Sequence, residues 1–187
     1  MYTSGPLIGS TVQLEKIAEK DLKELWELVY EKDHPEWIKW DIPCLPLMPM
    51  EYERFYDQMV NLLKQGFDRQ YAIKVHNEII GIVFYNWEQE SSNSLEIGLA
   101  IYRPEYWSEE IEIDALKTWM DHLFETFSIP RIGLSTWSGN ERMITVAKKL
   151  GLMVEGRIRK SRLYRSRYYD TVKLGILREE WELNKHR

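Results

Sequence analysis

Apolar positions recur in two periods along the chain, and their order predicts alternating helices and strands. Residues 12–15 alternate as a short strand after a Gly/Ser/Thr lead-in. Between 20 and 32, Leu22, Leu25, Trp26, Leu28 and Val29 fall on one helical face. A second helix opens at Pro49 and Met50 and runs to about residue 65, where Gly66 stops it. Residues 69–75 and 79–87 read as a hairpin turning at His76, Asn77 and Glu78. Residues 94–102 form a third strand in this run, ended by Pro104. The longest helix spans 109–127, with Ile113, Leu116, Met120, Leu123 and Phe124 on one side. A strand at 131–136 and a helix at 140–150 follow, the helix capped by Asn140 and terminated by Gly151. Residues 152–163 and 169–177 close the chain as a hairpin, and a short polar helix finishes it.

The resulting order is β-α-α-β-β-β-α-β-α-β-β. Strands run together in the middle before a strand–helix–strand–helix unit, so the sheet is mixed. A doubly wound dinucleotide fold would alternate strictly, and neither a Gly-x-Gly-x-x-Gly nor a Walker loop occurs. With 187 residues and neither repeat nor linker, the expectation is one mixed α/β (α+β) domain over 1–187. The connection 33–49 is long and carries Pro35, Pro43, Pro46, Pro49, Trp37 and Trp40. Such a loop suits the wall of a substrate pocket.

Composition narrows the class. The chain is 44% hydrophobic and 29% charged, and its longest apolar run, about 79–85, is far short of a membrane span. No signal-peptide layout opens it, so a cytoplasmic protein with no membrane partner is the expectation. The lone Cys44 excludes an internal disulfide and reads as a buried or pocket-lining thiol. His34, His76, His122 and His186 lack metal-ligand spacing, so no metal is expected.

The net charge of −5 argues against general nucleic-acid binding, yet it is unevenly spread. Glu105, Glu109, Glu110, Glu112 and Asp114 fall within ten residues without a base. Arg157, Arg159, Lys160, Arg162, Arg165 and Arg167 follow one another without an acid. Strand alternation would put Arg157 and Arg159 on one face and Lys160 and Arg162 on the other. The turn 164–168 lacks the Asn-Gly of a tight hairpin. Solvated strand faces explain this run most simply; an acidic partner, RNA or an acidic protein surface, is the sharper reading.

Particular residues at the joints of this order carry a resemblance. They are Leu95-Glu96-Ile97-Gly98, Pro104-Glu105-Tyr106-Trp107, Asp114-Ala115-Leu116, and Trp137-Ser138-Gly139-Asn140-Glu141-Arg142. Lys149-Leu150-Gly151-Leu152, Glu155-Gly156-Arg157 and Leu177-Arg178-Glu179-Glu180-Trp181 follow. In order and spacing the chain resembles the GNAT acetyltransferase superfamily, and within it the RimJ/RimL-like branch. The resemblance implies a central splayed sheet flanked by helices, with acetyl-CoA in the opening between the strands at 94–102 and 131–136. It puts the pantetheine arm against backbone near Ile101 and Tyr102, and an Asn contact at Asn140. It puts the pyrophosphate on the loop Trp107, Ser108, Glu109, Glu110, Ile111 and Glu112.

That loop departs from the family pattern of Arg/Gln-x-x-Gly-x-Gly/Ala. Free amides at a helix start bind anions, and glycine lets phosphate oxygens approach them. Here Trp107 stands at the basic position, and Glu110 and Glu112 at the small ones. A carboxylate about 4 Å from a phosphate charge repels it by roughly 4 kcal/mol at an effective dielectric near 20. Acids in a first helical turn also stabilise it, by about 0.3–1 kcal/mol each. Both readings stand: an altered working loop, or solvated helix-start residues in a chain that holds CoA weakly.

Acetyl transfer to an amine needs a base and an acid. The position of the Tyr acid found in many relatives is Ala147 here. Glu96, on the strand beside the splay, is the candidate base, acting directly or through water. The resemblance implies an N-acetyltransferase acting on a primary amine of a protein N-terminus or a small molecule, without a covalent enzyme intermediate, and a homodimer as in many relatives. The alternative is a catalytically impaired GNAT-like module with a binding or regulatory role.

Overall fold

The structure, a computed structural model, describes residues 5–32, 35–40, 47–89, 91 and 93–185, the last by its backbone alone. Cys44, His34, His186 and parts of the Pro/Trp connection (33–34 and 41–46) lie outside the described residues.

The strands are β1 (Leu7–Ile8), β2 (Gln13–Lys16), β3 (Gln70–Val75), β4 (Glu78–Gln89), β5 (Ser94–Ile101), β6 (Arg131–Trp137), β7 (Met153–Tyr164) and β8 (Arg167–Leu177). The helices are α1 (Leu22–Tyr30), α2 (Tyr52–Lys64), α3 (Glu109–Thr126), α4 (Glu141–Lys149) and α5 (Arg178–Lys185). The strands form one mixed sheet in the order β1-β2-β3-β4-β5-β6-β8-β7. Every neighbouring pair is antiparallel except β5 and β6, which are parallel.

Alternation along the strands feeds two cores. Ile73, Val83, Leu95 and Ile132 pack with Leu116, Trp119, Met120 and Leu123 of α3. On the opposite face, Ala72 and Ile79 pack with Leu22 and Leu25 of α1, and Phe55, Met59 and Leu63 of α2 lie against them. Burying each large aliphatic side chain contributes about 1.5–3 kcal/mol. Residues one apart in β3, such as Ala72 and Ile73, therefore fix which helices cover which face.

The predicted elements match these, with three differences. β1 is an addition: two residues hold no readable period, and tertiary bonds fix them. The Asp114 carboxylate accepts the N–H groups of Ser10, Thr11 and Val12 at 2.9, 2.6 and 3.0 Å, tying this segment to α3. Burial alone would raise the Asp114 carboxyl, but those donors hold it below its ordinary value.

The final hairpin turns more tightly than its sequence suggests. Tyr164 pairs with Arg167, so Arg165 and Ser166 are the whole turn, at φ +48° and +59°. The left-handed turn is made without glycine, as His76 and Asn77 also do at φ +50° and +66°. The simple alternation of bases is also corrected. Ile158 pairs with Thr171 and Arg162 with Tyr169, so residues 159–161 bulge opposite Asp170. Lys160, at φ +51°, donates its N–H to the Asp170 carboxylate at 2.9 Å.

Candidate active site

Parallel pairing of β5 and β6 lasts for three rungs, Ser94 with Arg131, Leu95 with Ile132 and Glu96 with Gly133. Beyond them β5 stays on β4 as far as Ile101 and β6 stays on β8 as far as Trp137, so the two strands part. The fork opens a cleft of about 500 Å³, walled by the far halves of both strands and closed by the first turns of α3 and α4. Trp37 and Trp40, on a short 3-10 turn of the Pro/Trp connection, also line it.

The fork brings together many of the residues singled out in the sequence. Glu96, Ile101, Tyr102, Trp107, Glu112 and Asn140 all line the cleft. Glu96 stands on the last shared rung; its carboxylate accepts the Ser135 hydroxyl at 2.7 Å and lies 3.5 Å from Lys173 Nζ. Asn140 caps α4 by accepting Met143 N–H at 3.1 Å and donates its amide to the Trp40 carbonyl at 2.6 Å. One side chain thus joins helix start to loop. Trp107 donates its indole N–H to the Ile101 carbonyl at 3.0 Å and meets Trp40 edge-on at 6.1 Å. Lys39 Nζ lies 4.3 Å from the Trp107 ring centre.

Ser108, Glu109, Glu110 and Ile111 are not among the lining residues. The Ser108 hydroxyl accepts the Ile111 N–H at 3.2 Å as an N-cap. Glu109 pairs with Lys149 of α4, Glu110 is exposed, and Ile111 packs on the main core. Glu112 turns inward and is 5% exposed. Its carboxylate takes the Arg142 Nε–H at 2.8 Å. Burial nevertheless pushes the Glu112 carboxyl above its ordinary value, against the pull of the guanidinium and with help from nearby Glu109.

Arg142 and Trp137 entered the sequence reading only as part of a stretch carrying the resemblance, with no role in the site. Arg142 sits two residues after the cap Asn140, where a helix-start base reads as surface, and Trp137 ends β6 as an ordinary core aromatic would. Their polar atoms make them notable. Arg142 Nη2 and the indole N–H groups of Trp37, Trp40 and Trp137 are buried with no partner among the described residues. All four residues line the cleft. A buried donor without an acceptor costs about 1–3 kcal/mol, so this lining is suited to a ligand rich in acceptor oxygens.

A mixed sheet that forks between two parallel strands, with a pocket at the fork and helix starts at its mouth, is the acyl-CoA N-acyltransferase architecture. The acetyltransferase (GNAT) domain family matches residues 11–153, and the chain belongs to that family. It is 27% identical over 113 residues to the SPbeta prophage-derived uncharacterized N-acetyltransferase YokL of Bacillus subtilis (strain 168), a match spanning 60% of this chain and 63% of that protein. It is 20% identical over 171 residues to the ribosomal-protein-serine acetyltransferase of Escherichia coli (strain K12), spanning 87% and 90% of the two chains. Among solved structures, RimL, a ribosomal L7/L12 alpha-N-protein acetyltransferase in complex with coenzyme A, superposes with a TM-score of 0.77. That alignment is 19% identical and covers 92% of this chain and 98% of the other, a likeness of fold. Among the described residues no helix is long and apolar enough to cross a membrane.

Proposed function

We propose that the chain moves an acetyl group from acetyl-CoA to a primary amine carried by a protein N-terminus or a small molecule. The observation that supports this most is the fork after Glu96 and Gly133, with unpartnered donors lining the space beyond it. These residues fit the cofactor: its amide carbonyls and thioester are acceptors, matching a lining of buried N–H groups. The charge objection to Glu112 is also reduced, because Arg142 offsets it. The residues that would hold the cofactor are those of the expected set that line the cleft, Ile101, Tyr102, Trp107, Glu112 and Asn140, joined by Arg142.

When bound, acetyl-CoA supplies the activated acyl carbon and a thiolate leaving group. The chain's own part is to hold the amine and take its proton. Glu96 is the proposed base: its carboxylate stands at the fork, in contact with Ser135 and Lys173. A neutral amine then attacks without a covalent enzyme intermediate. Trp37, Trp40 and Trp107, which line the cleft, would help exclude water from it. Ala147 is a buried alanine in α4 and offers no proton.

A second reading is a GNAT-fold module that holds acetyl-CoA weakly and binds or regulates a partner. The contact favouring it is the Trp107 indole on the Ile101 carbonyl, which occupies an acceptor the pantetheine arm would use. Titration calorimetry with acetyl-CoA, followed by mass spectrometry of amine-bearing peptides, separates the two. Micromolar binding and a gain of one acetyl group are expected; no binding at millimolar cofactor overturns the transferase reading.

A further inference from the structure

We propose that Lys173 and Glu88 are positioning residues for the Glu96 carboxylate, together setting its readiness to take the proton of the amine. This rests on the transferase reading and adds two residues from outside the cleft lining.

Gly133 makes the arrangement possible. It lies opposite Glu96 on the last shared rung of β5 and β6. A Cβ there would stand 3.2 Å from Glu96 Cγ and 2.8 Å from Arg131 Nη1. A glycine inside a strand gives up packing and marks a place that other groups approach closely. Glu96 thus lies across β6 toward β8, where Ser135 pairs with Lys173. The Ser135 hydroxyl donates to Glu96 Oε1 at 2.7 Å, and Lys173 Nζ reaches the same oxygen at 3.5 Å. Both contacts fall on Oε1, so Oε2 is the oxygen left to the amine.

Lys173 is shared unequally. Its Nζ lies 2.7 Å from Glu88 Oε1, closer than to Glu96, and Glu88 also lies 3.4 Å from Arg131 Nη1. The bond from Lys173 holds the Glu88 carboxyl below its ordinary value, and the bond to Glu88 holds the Lys173 ammonium above its own. Arg131 is tied in turn to Glu155 of β7. In the cleft, Glu112 is paired with Arg142, and Arg162 also lines the wall. Exposed ion pairs by themselves contribute little, but one member of this network is a carboxylate of the cleft lining.

A general base has two opposed needs: to be ionised, and to bind the proton firmly once it arrives. A cation bound to Glu96 alone serves the first and works against the second. Lys173, drawn off by Glu88, leaves positive charge beside Glu96 without a full ion pair. In the transfer Glu96 takes the proton that the amine nitrogen loses, as the C–N bond forms and the thioester C–S bond breaks. Lys173 and Glu88 exchange no proton.

The test reads kcat against pH at saturating acetyl-CoA, on the amine-bearing peptide that the wild type acetylates. Lys173→Met should move the acid limb up by about one pH unit. Glu88→Gln should move it down, with a lower plateau, because the freed ammonium turns to Glu96. Lys173→Arg should keep the wild-type profile, and calorimetry should give all three variants the wild-type affinity for acetyl-CoA. A merely structural pair would not produce displacements of opposite sign. If Lys173→Met does not fold, the direction in Glu88→Gln decides. Displacements of the same sign, or none, overturn the proposal, and so does a wild-type kcat in Glu96→Gln. A wild type that neither binds acetyl-CoA nor acetylates any peptide overturns the transferase reading instead. An active wild type whose variants share its profile overturns this proposal alone.

Discussion

Arg142 Nε lies 2.8 Å from the buried carboxylate of Glu112, and the pair joins the first turns of α3 and α4 at the mouth of the cleft. The acid that stands where the family has a small residue is thus matched by a base from another helix. Glu109 is matched in the same way by Lys149, and Asp114 by backbone N–H groups of residues 10–12. Arg142→Ala strands Glu112 and should lower stability by about 3 kcal/mol. Arg142→Ala/Glu112→Ala should recover part of that loss. Urea unfolding of both variants measures the coupling, and a double variant no more stable than the single one contradicts it.

Glu112 also sets a pH dependence. Its folded carboxyl titrates above its ordinary 4.5, so the folded state holds the proton more tightly than the unfolded one. This contribution to stability is full below 4.5 and is lost as pH rises through the raised value. Glu112→Gln, which keeps an acceptor for Arg142, should flatten the fall in Tm above about pH 5. An unchanged pH–Tm slope in that variant would show that the carboxyl is not the source.

Glu96→Gln tests the proposed base. The amide preserves the bond from Ser135 but cannot take a proton, so kcat should fall about 10²-fold or more while acetyl-CoA affinity holds. Loss of affinity with unchanged kcat would assign Glu96 to binding.

Trp107→Phe keeps the ring against Trp40 and removes the N–H from the Ile101 carbonyl. If a bound pantetheine amide competes for that carbonyl, the change strengthens acetyl-CoA binding by about fivefold, the worth of one hydrogen bond. Calorimetry showing weaker binding would mean that the indole assists the ligand.

Asp114→Ala releases the segment 10–12 and should cost about 2 kcal/mol, since bonds to a charged acceptor are the stronger kind. Asp114 titrates below its ordinary 3.8, so the wild type keeps this contribution above that value and loses it as pH falls through the lowered one. Acid unfolding of wild type and variant should therefore converge at low pH.

Much of the fold was legible because period and punctuation are local. Helical faces, the Asn140 cap and the order of elements along the chain came from neighbours within a few residues, whereas the position of Glu96 beside parting strands came from the family resemblance. The family resemblance added the cleft residues Ile101, Tyr102 and Trp107. The two-residue β1, the Arg165–Ser166 turn and the bulge at 159–161 were not readable, because pairing across the sheet rather than local preference imposes them.

The sequence by itself determined where the acids lie: a charged first turn of α3 is written at 109–112. Tertiary structure alone decided what that charge means. Chain proximity cannot tell that Lys149 and Arg142, some 30 to 40 residues on, return to face Glu109 and Glu112. Nor can it tell that Glu112 turns inward while Glu110 stays in solvent. Charge is a property of a residue, but its free energy belongs to the partners and the dielectric that folding puts around it.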